Sequence, residues 1–287
     1  MKKAQEYITY LTPEFIYIPF DNQALLNLSK NGEVLHNGYL GTKNDGSKIF
    51  SPVSGKILGI KDTYYNGYTS KSLVVENNFM DKREKLNPLR NMNKVKKSDI
   101  IESLEKYGLN KKINSKTTLV VNSLYNKRTD LKDVVINYES YEEILEAIDE
   151  FMDIFGMKTC YICLDRNDLY SISAYEKYIN AFLNICIVHS TKKFKDDKCV
   201  FYGVEDILKI HKAIHLDYMY DNTIVTIYDG NNTTVVKVKL YSSLSELFKA
   251  LKITYKGKNV YINGNQISNI SDFAIDETIR SIVIKDK

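Results

Sequence analysis

The apolar residues of this chain change their period twice, and that constrains its fold more tightly than any single motif. Up to about residue 80, short runs such as "FIYIPF", "GEVLHNGYLGT", "KIFSPVSGKILGI" and "KSLVVENNF" are broken at short intervals by Gly or Asn-Gly. Such punctuation marks brief strands joined by turns, and hence a β-rich unit. The charged segment "MDKREKLNPLRNMNKVKK", with Pro88 inside it, reads as a linker.

From Ser98 the spacing becomes that of helices alternating with continuous apolar runs. "SDIIESLEKYGL" predicts a short helix, capped by Ser98 and stopped by Gly108. "TTLVVN" suits a buried parallel strand. "SYEEILEAIDEFMDIFG" is the strongest helical pattern, with a capping box from Ser140 to Glu143 and Gly156 at its end. Ile144, Leu145, Ile148, Phe151, Met152 and Phe155 form its apolar face. A strand "KTCYICL", a helix through "LYSISAYEKYINAF", a strand "NICIVHS" and a helix "GVEDILKIHKAIH" follow. Strands alternating with helices imply a Rossmann-like, doubly wound α/β sheet.

From Asn222 the pattern is β-rich again, around one helix. "TIVTIYDG" and "TTVVKVKL" make a hairpin; "SSLSELFKAL" is a helix with a capping box from Ser243 to Glu246; "NVYINGNQIS" and "IRSIVIKD" complete the set. That succession describes a β-grasp unit. The expected fold class is therefore α/β plus β, with boundaries at 1–82 for the first β domain, 83–97 for the linker, 98–218 for the α/β domain and 219–287 for the β-grasp domain.

Composition narrows the function classes. With 44% hydrophobic and 26% charged residues the chain is of ordinary soluble type. It has no apolar run near the roughly 20 residues needed to span a bilayer. "MKKAQEYITYLTPEF" lacks the apolar core of a signal peptide, so a cytoplasmic protein without direct membrane insertion is expected. A net charge of +4 with interspersed signs gives no basic stripe, and no nucleic-acid partner is expected. Cys160 and Cys163 form a C-x-x-C, but within an extended strand residues three apart lie roughly 10 Å apart on opposite faces. That exceeds the ~7 Å limit for a disulfide, and no metal site is expected there.

The order of the three regions resembles the RnfC family, the soluble electron-input subunit of the ion-pumping ferredoxin:NAD oxidoreductase, related to the flavin subunit of respiratory complex I. "TPEFIYIPF" is similar to the family's opening, "KNGEVLHNGYLGT" to its "G-D-x-V-x-x-G-Q-x-I" turn, and "SPVSGKILGI" to its "S-V-S-G-x-V" turn. "TTLVVN" stands where the family has "T-L-I-I-N", and "YEEILEAIDEFMDIFGMKTCYICLDRND" resembles its helix followed by "I-G-I-E-D-N". "GVEDILKIHKAI" is similar to the "N-V-x-T" helix, and "NTIVTIYDG" to the start of the soluble-ligand-binding (SLBB) β-grasp domain. The resemblance implies a barrel-sandwich hybrid for the first β domain. The departures carry as much information. The family's flavin-phosphate loop, G-x-G-G-A-x-F-P-T, is replaced by the short "YGLNKKINSK" with Gly108 alone, although such a loop is what lets bare backbone amides converge on a phosphate. "E-C-E-P" is replaced by "SLYNKRTD", Ser123 to Asp130, "G-G-P-M-x-G" by "NGNQIS", Asn263 to Ser268, and the iron–sulfur cysteine clusters have no counterpart.

A swinging arm needs a lysine at a long hairpin tip, and only Gly41 to Ser51 separates the two turns; neither Lys43 nor Lys48 has an arm lysine's setting. His211 and His215 in "HKAIH" have zincin spacing, but Lys212 stands in place of a glutamate base and no third ligand is evident, so they read as surface histidines. His36 and His189 have no identifiable partner, and Glu142 with Glu143 suits a helix start. "LDRND" follows a parallel strand, where ligands of open α/β sheets collect; Asp165 and Asn167 match the family's "E-D-N", but the segment reads first as an ordinary loop with Asp165 capping the next helix. Asn122 ends "TTLVVN" at the same edge. The reading is a degenerate, non-catalytic RnfC-like scaffold without a cofactor, binding a protein partner in a redox complex. The alternative keeps flavin or another small ligand at Asn122, Asp165 and Asn167.

Overall fold

The computed structural model of the chain describes residues 6–65, 68–90, 92–109, 113, 116–124, 128–189 and 197–286. It divides into two compact units, one spanning Asn87–Tyr218 and the other formed by Ala4–Leu86 together with Met219–Lys287.

In the second of these units the chain begins with β1 (Glu6–Tyr10), β2 (Phe15–Phe20), β3 (Leu25–Leu26), β4 (Glu33–Val34), β5 (Tyr39–Thr42), β6 (Lys48–Phe50), β7 (Gly55–Tyr65) and β8 (Tyr68–Asn77). Strands β2-β8-β7-β4 form one sheet and β3-β5-β6 another. Ile16, Ile18, Leu40, Ile49, Val53, Leu73 and Val75 gather into their common core. The alternation in "FIYIPF" puts Ile16 and Ile18 on that inner face. Gly55 of "SPVSGKILGI" is required by close approach: a Cβ there would stand 1.9 Å from the Glu76 carbonyl oxygen.

The Asn87–Tyr218 unit contains α1 (Lys97–Lys106), β9 (Thr118–Ser123), α2 (Lys132–Phe155), β10 (Thr159–Leu164), α3 (Leu169–Glu176), β11 (Ile185–Val188), β12 (Cys199–Gly203) and α4 (Val204–Leu216). Its sheet has the order β11-β10-β9-β12 and every pairing is parallel. The apolar face of α2 is buried as its spacing requires, except that Phe155 is only half-buried, and Gly156 takes the left-handed conformation that ends the helix. The strand β12, from "CVFYG", is an addition to the sequence reading, because a short apolar run beside a helix start gives little periodic signal.

The chain then returns to the first-described unit with β13 (Asn222–Tyr228), β14 (Thr233–Lys239), α5 (Leu244–Ala250), β15 (Asn259–Ile262), β16 (Asn265–Ile267) and β17 (Ser281–Lys285). These strands join β1 in a mixed sheet of order β1-β14-β13-β17-β15-β16. Asn263 and Gly264 both have positive φ, the hairpin conformation for which Asn-Gly is suited. The whole is a mixed α/β chain with several sheets, one of them parallel.

Three helix starts differ from expectation. α2 begins at Lys132, and Ser140, expected to cap it, is a kink inside it with φ −131° and ψ 25°. Ser98 lies inside α1 and its hydroxyl meets Asp99. Ser243 does precede α5 but makes no side-chain cap; Glu246 accepts instead from the Tyr10 hydroxyl and the Glu14 amide. At Glu246 these tertiary partners take the place of a local cap worth about 1 kcal/mol.

Candidate functional site at the carboxyl edge of the parallel sheet

From β9 the chain moves outward to β10 and β11, then crosses back to place β12 on the other side of β9. The carboxyl ends of β9 and β12 thus flank a topological switch point, the position where open α/β sheets receive ligands. Register pairs Asn122 with Cys163 on β10 and with Gly203 on β12, and Ser123 with Leu164. Because successive side chains alternate, Ser123 and Asn122 leave on opposite faces.

The Ser123 face lies under α2, and its polar groups bond to one another. Asn137 Nδ2 donates to Ser123 Oγ at 2.7 Å, and the Tyr175 hydroxyl donates to Asn137 Oδ1 at 2.8 Å. Burial pushes the Tyr175 phenol well up, and Cys160, Asp133 and Asp168 add to it. The carboxylate that caps α3 is Asp168, which accepts from the Ser171 amide at 3.1 Å. Lys132 is 1% exposed and its Nζ lies 2.7 Å from Glu205 Oε2, joining the first turns of α2 and α4. Glu205 and Asp206 stand in the first turn of α4, and Asp206 accepts from the Gly203 amide. Acids at that position already complement the helix dipole that an incoming anion would use.

The opposite face is built differently. Val120, Cys163 and Cys199 form a small apolar cluster, flanked by Leu124, Tyr161 and Val188. Burial pushes the Cys163 thiol up to about 11. At the carboxyl end of this face, Asn122 Oδ1 is buried without a hydrogen-bond partner. Cys160 and Cys163 lie within one extended strand, three residues apart, and so leave it on opposite faces.

Of the residues nominated from sequence, Asn122 stands near the end of β9 and Asp165 directly after β10, so both come to the same edge. Asp165 does not cap α3, however. The chain first makes a turn in which Asp165 Oδ1 accepts from the Asn167 amide at 2.7 Å, and the cap falls to Asp168. The Asn167 side chain is exposed. The segments replacing the glycine-rich loop and "E-C-E-P" lie partly outside the described residues, at 110–112, 114–115 and 125–127.

Two polar clusters take partners that the sequence did not indicate. In the discontinuous unit, buried His36 meets Asp81 through Nδ1 and Asp221 Oδ2 through Nε2 at 2.6 Å, and Lys239 Nζ meets Asp221 Oδ2 at 2.8 Å. In the α/β unit, His211 and His215 face glutamates of α2, and His211 is buried rather than at the surface. Neither set has a local signal, since each joins distant segments. A cleft of about 510 Å³ opens near Asp21, Lys43, Asp62 and Lys71. The Asp21 carboxylate there is taken up by the amides of Gln23 and Asn44, which points to loop closure rather than ligand binding.

No protein-family model matches the chain, and no curated protein matches it. Among solved structures it is similar to a chain in the crystal structure of an NAD+-reducing [NiFe]-hydrogenase in the H2-reduced state, with a TM-score of 0.53 and 9% identity over 70% of this chain and 49% of that chain. The air-oxidized state of an NAD+-reducing [NiFe]-hydrogenase aligns with a TM-score of 0.47 and 9% identity over 60% of this chain and 41% of that one. The chain spans about half the length of the hydrogenase chain it matches, and at this identity the likeness is one of fold. No helix among the described residues is long and apolar enough to cross a membrane.

Proposed function

We propose that this chain is a non-catalytic, RnfC-like scaffold or accessory protein of a cytoplasmic electron-transfer assembly, acting by binding a protein partner. Its domains are then a barrel-sandwich hybrid, a Rossmann-like domain and an SLBB-type β-grasp. One observation carries the reading. The fold is shared with a chain of an NAD+-reducing enzyme, while on the Ser123 face of the edge that would receive a nucleotide the polar groups bond to one another, and the amide that opens α4 already donates to Asp206. Such an edge offers little to a phosphate.

A second reading, a retained flavin or other small ligand, is favoured by the unpartnered Asn122 Oδ1. An unbonded buried acceptor costs about 1–3 kcal/mol, which a ligand donor would relieve. The two readings part on one experiment. The purified protein is examined for visible absorption and titrated with FMN, and cross-linked in lysate of its native host. The scaffold reading expects colourless protein, no quenching of FMN fluorescence, and cross-links to a flavin- or iron–sulfur-bearing subunit. Yellow protein, or micromolar FMN binding lost in Asn122→Leu, would establish the second reading in its place.

A further inference from the structure

α2 and α4 carry three cross-helix contacts in series. Lys212 Nζ meets Glu143 Oε1 at 2.7 Å, His211 Nε2 lies 3.4 Å from Glu146 Oε2, and His215 Nε2 lies 2.9 Å from Glu150 Oε2. The two histidines are four residues apart, as are the two glutamates, so each pair occupies one face of its helix a turn apart. The imidazoles lie against each other with centroids 4.4 Å apart and an interplanar angle of 27°.

A row of ion pairs accounts for Lys212 but leaves His211 unexplained. That residue is 8% exposed, its Nδ1 is buried without a hydrogen-bond partner, and its Nε2 contact is long for a hydrogen bond. A buried ring bonded so poorly costs stability, and the loose Nε2 contact is the one that an ion shared with Glu146 would tighten. We propose that His211, His215, Glu146 and Glu150 form a site for a divalent first-row transition-metal ion, of which Zn²⁺ is the type, bridging α2 and α4.

The donor set decides the class of ion. Two imidazoles and two carboxylates suit Zn²⁺ and its neighbours in the series, whereas Ca²⁺ and Mg²⁺ take oxygen ligands. Ligands held about 2.0–2.1 Å from a tetrahedral ion lie roughly 3.3 Å from one another. The separations within the two His–Glu pairs, 3.4 and 2.9 Å, are already near that value. As they stand, no three such side chains among the described residues are gathered as ligands. Binding therefore requires the stacked rings to rotate until their Nε2 atoms converge. The Glu146 side chain is 59% exposed, which gives the ion a route from solvent. The Lys212 charge beside the site is balanced by Glu143.

This site is independent of the redox reading. The test is calorimetric titration of the full, chelator-treated chain with ZnCl₂, and optical titration with CoCl₂, whose visible bands report four-coordination. The expected result is one equivalent bound at micromolar affinity or tighter. His215→Gln and Glu146→Gln should each weaken binding by at least the roughly ten-fold that loss of even an outer-shell partner costs. Glu146→Gln changes an exposed side chain and keeps the test valid should a histidine variant fold poorly. Absence of a one-equivalent event overturns the proposal, as does binding that survives both substitutions. Weakening by His215→Gln alone also overturns it, since an i, i+4 histidine pair on one helix would then suffice.

Discussion

Cys160 and Cys163 leave one strand on opposite faces, and Cys186 on the neighbouring strand is exposed. Reactivity follows the thiolate fraction, and burial keeps the Cys163 thiol protonated up to about 11, above the 9.0 of a free thiol. Alkylation of the native protein by iodoacetamide at neutral pH should therefore modify Cys186 first, with Cys160 and Cys163 reacting only on unfolding; peptide mass spectrometry reads the order. The linkage has a definite sign. Between about pH 9 and pH 11 an unfolded chain releases the Cys163 proton and the folded chain keeps it, so this group's contribution to stability falls as pH rises through that window. Asn122 was legible at this scale because it closes an apolar run that had to be a strand. Asp165 was misplaced as a cap because the turn after β10 uses it before α3 begins.

α2 shows how an element takes its limits from its neighbours. Its start at Lys132 is fixed by a nearly buried ion pair with Glu205 of α4, and its local cap signal at Ser140 becomes a kink. Replacing one member of a buried pair leaves the other charge poorly compensated, a loss of about 3–5 kcal/mol. Lys132→Met should thus lower the urea midpoint markedly, and Lys132→Met combined with Glu205→Met should recover most of the loss. A double variant no more stable than the single one would show that the pair does not act as a unit. The helix itself was legible, since Ile144, Leu145, Ile148, Phe151 and Met152 recur at helical spacing and all are buried. Its first turns were not, because they carry Lys132 and Asn137, polar residues buried against partners on other elements.

At the scale of the whole molecule, one unit is discontinuous: Ala4–Leu86 and Met219–Lys287 fold together, with Asn87–Tyr218 as the other unit. β1 pairs with β14, and His36 meets Asp221 across 185 positions of sequence. A fragment of Asn87–Tyr218 should therefore unfold cooperatively by circular dichroism. A fragment of Met219–Lys287 should not, because β14 loses its edge partner and the buried Asp221–Lys239 pair loses His36. The sequence by itself determined which stretches are strand or helix, because period and turn chemistry are properties of neighbouring residues. It thereby determined the mixed class, the alternation of the middle region and the edge on which Asn122 lies. Only the tertiary structure decided which distant segments meet: β1 with the C-terminal sheet, His36 with Asp221, and the histidines of α4 with the glutamates of α2. Those contacts depend on how the chain crosses over and how helices pack on a sheet, and the cost of leaving a buried polar group unbonded, not any local pattern, selects them.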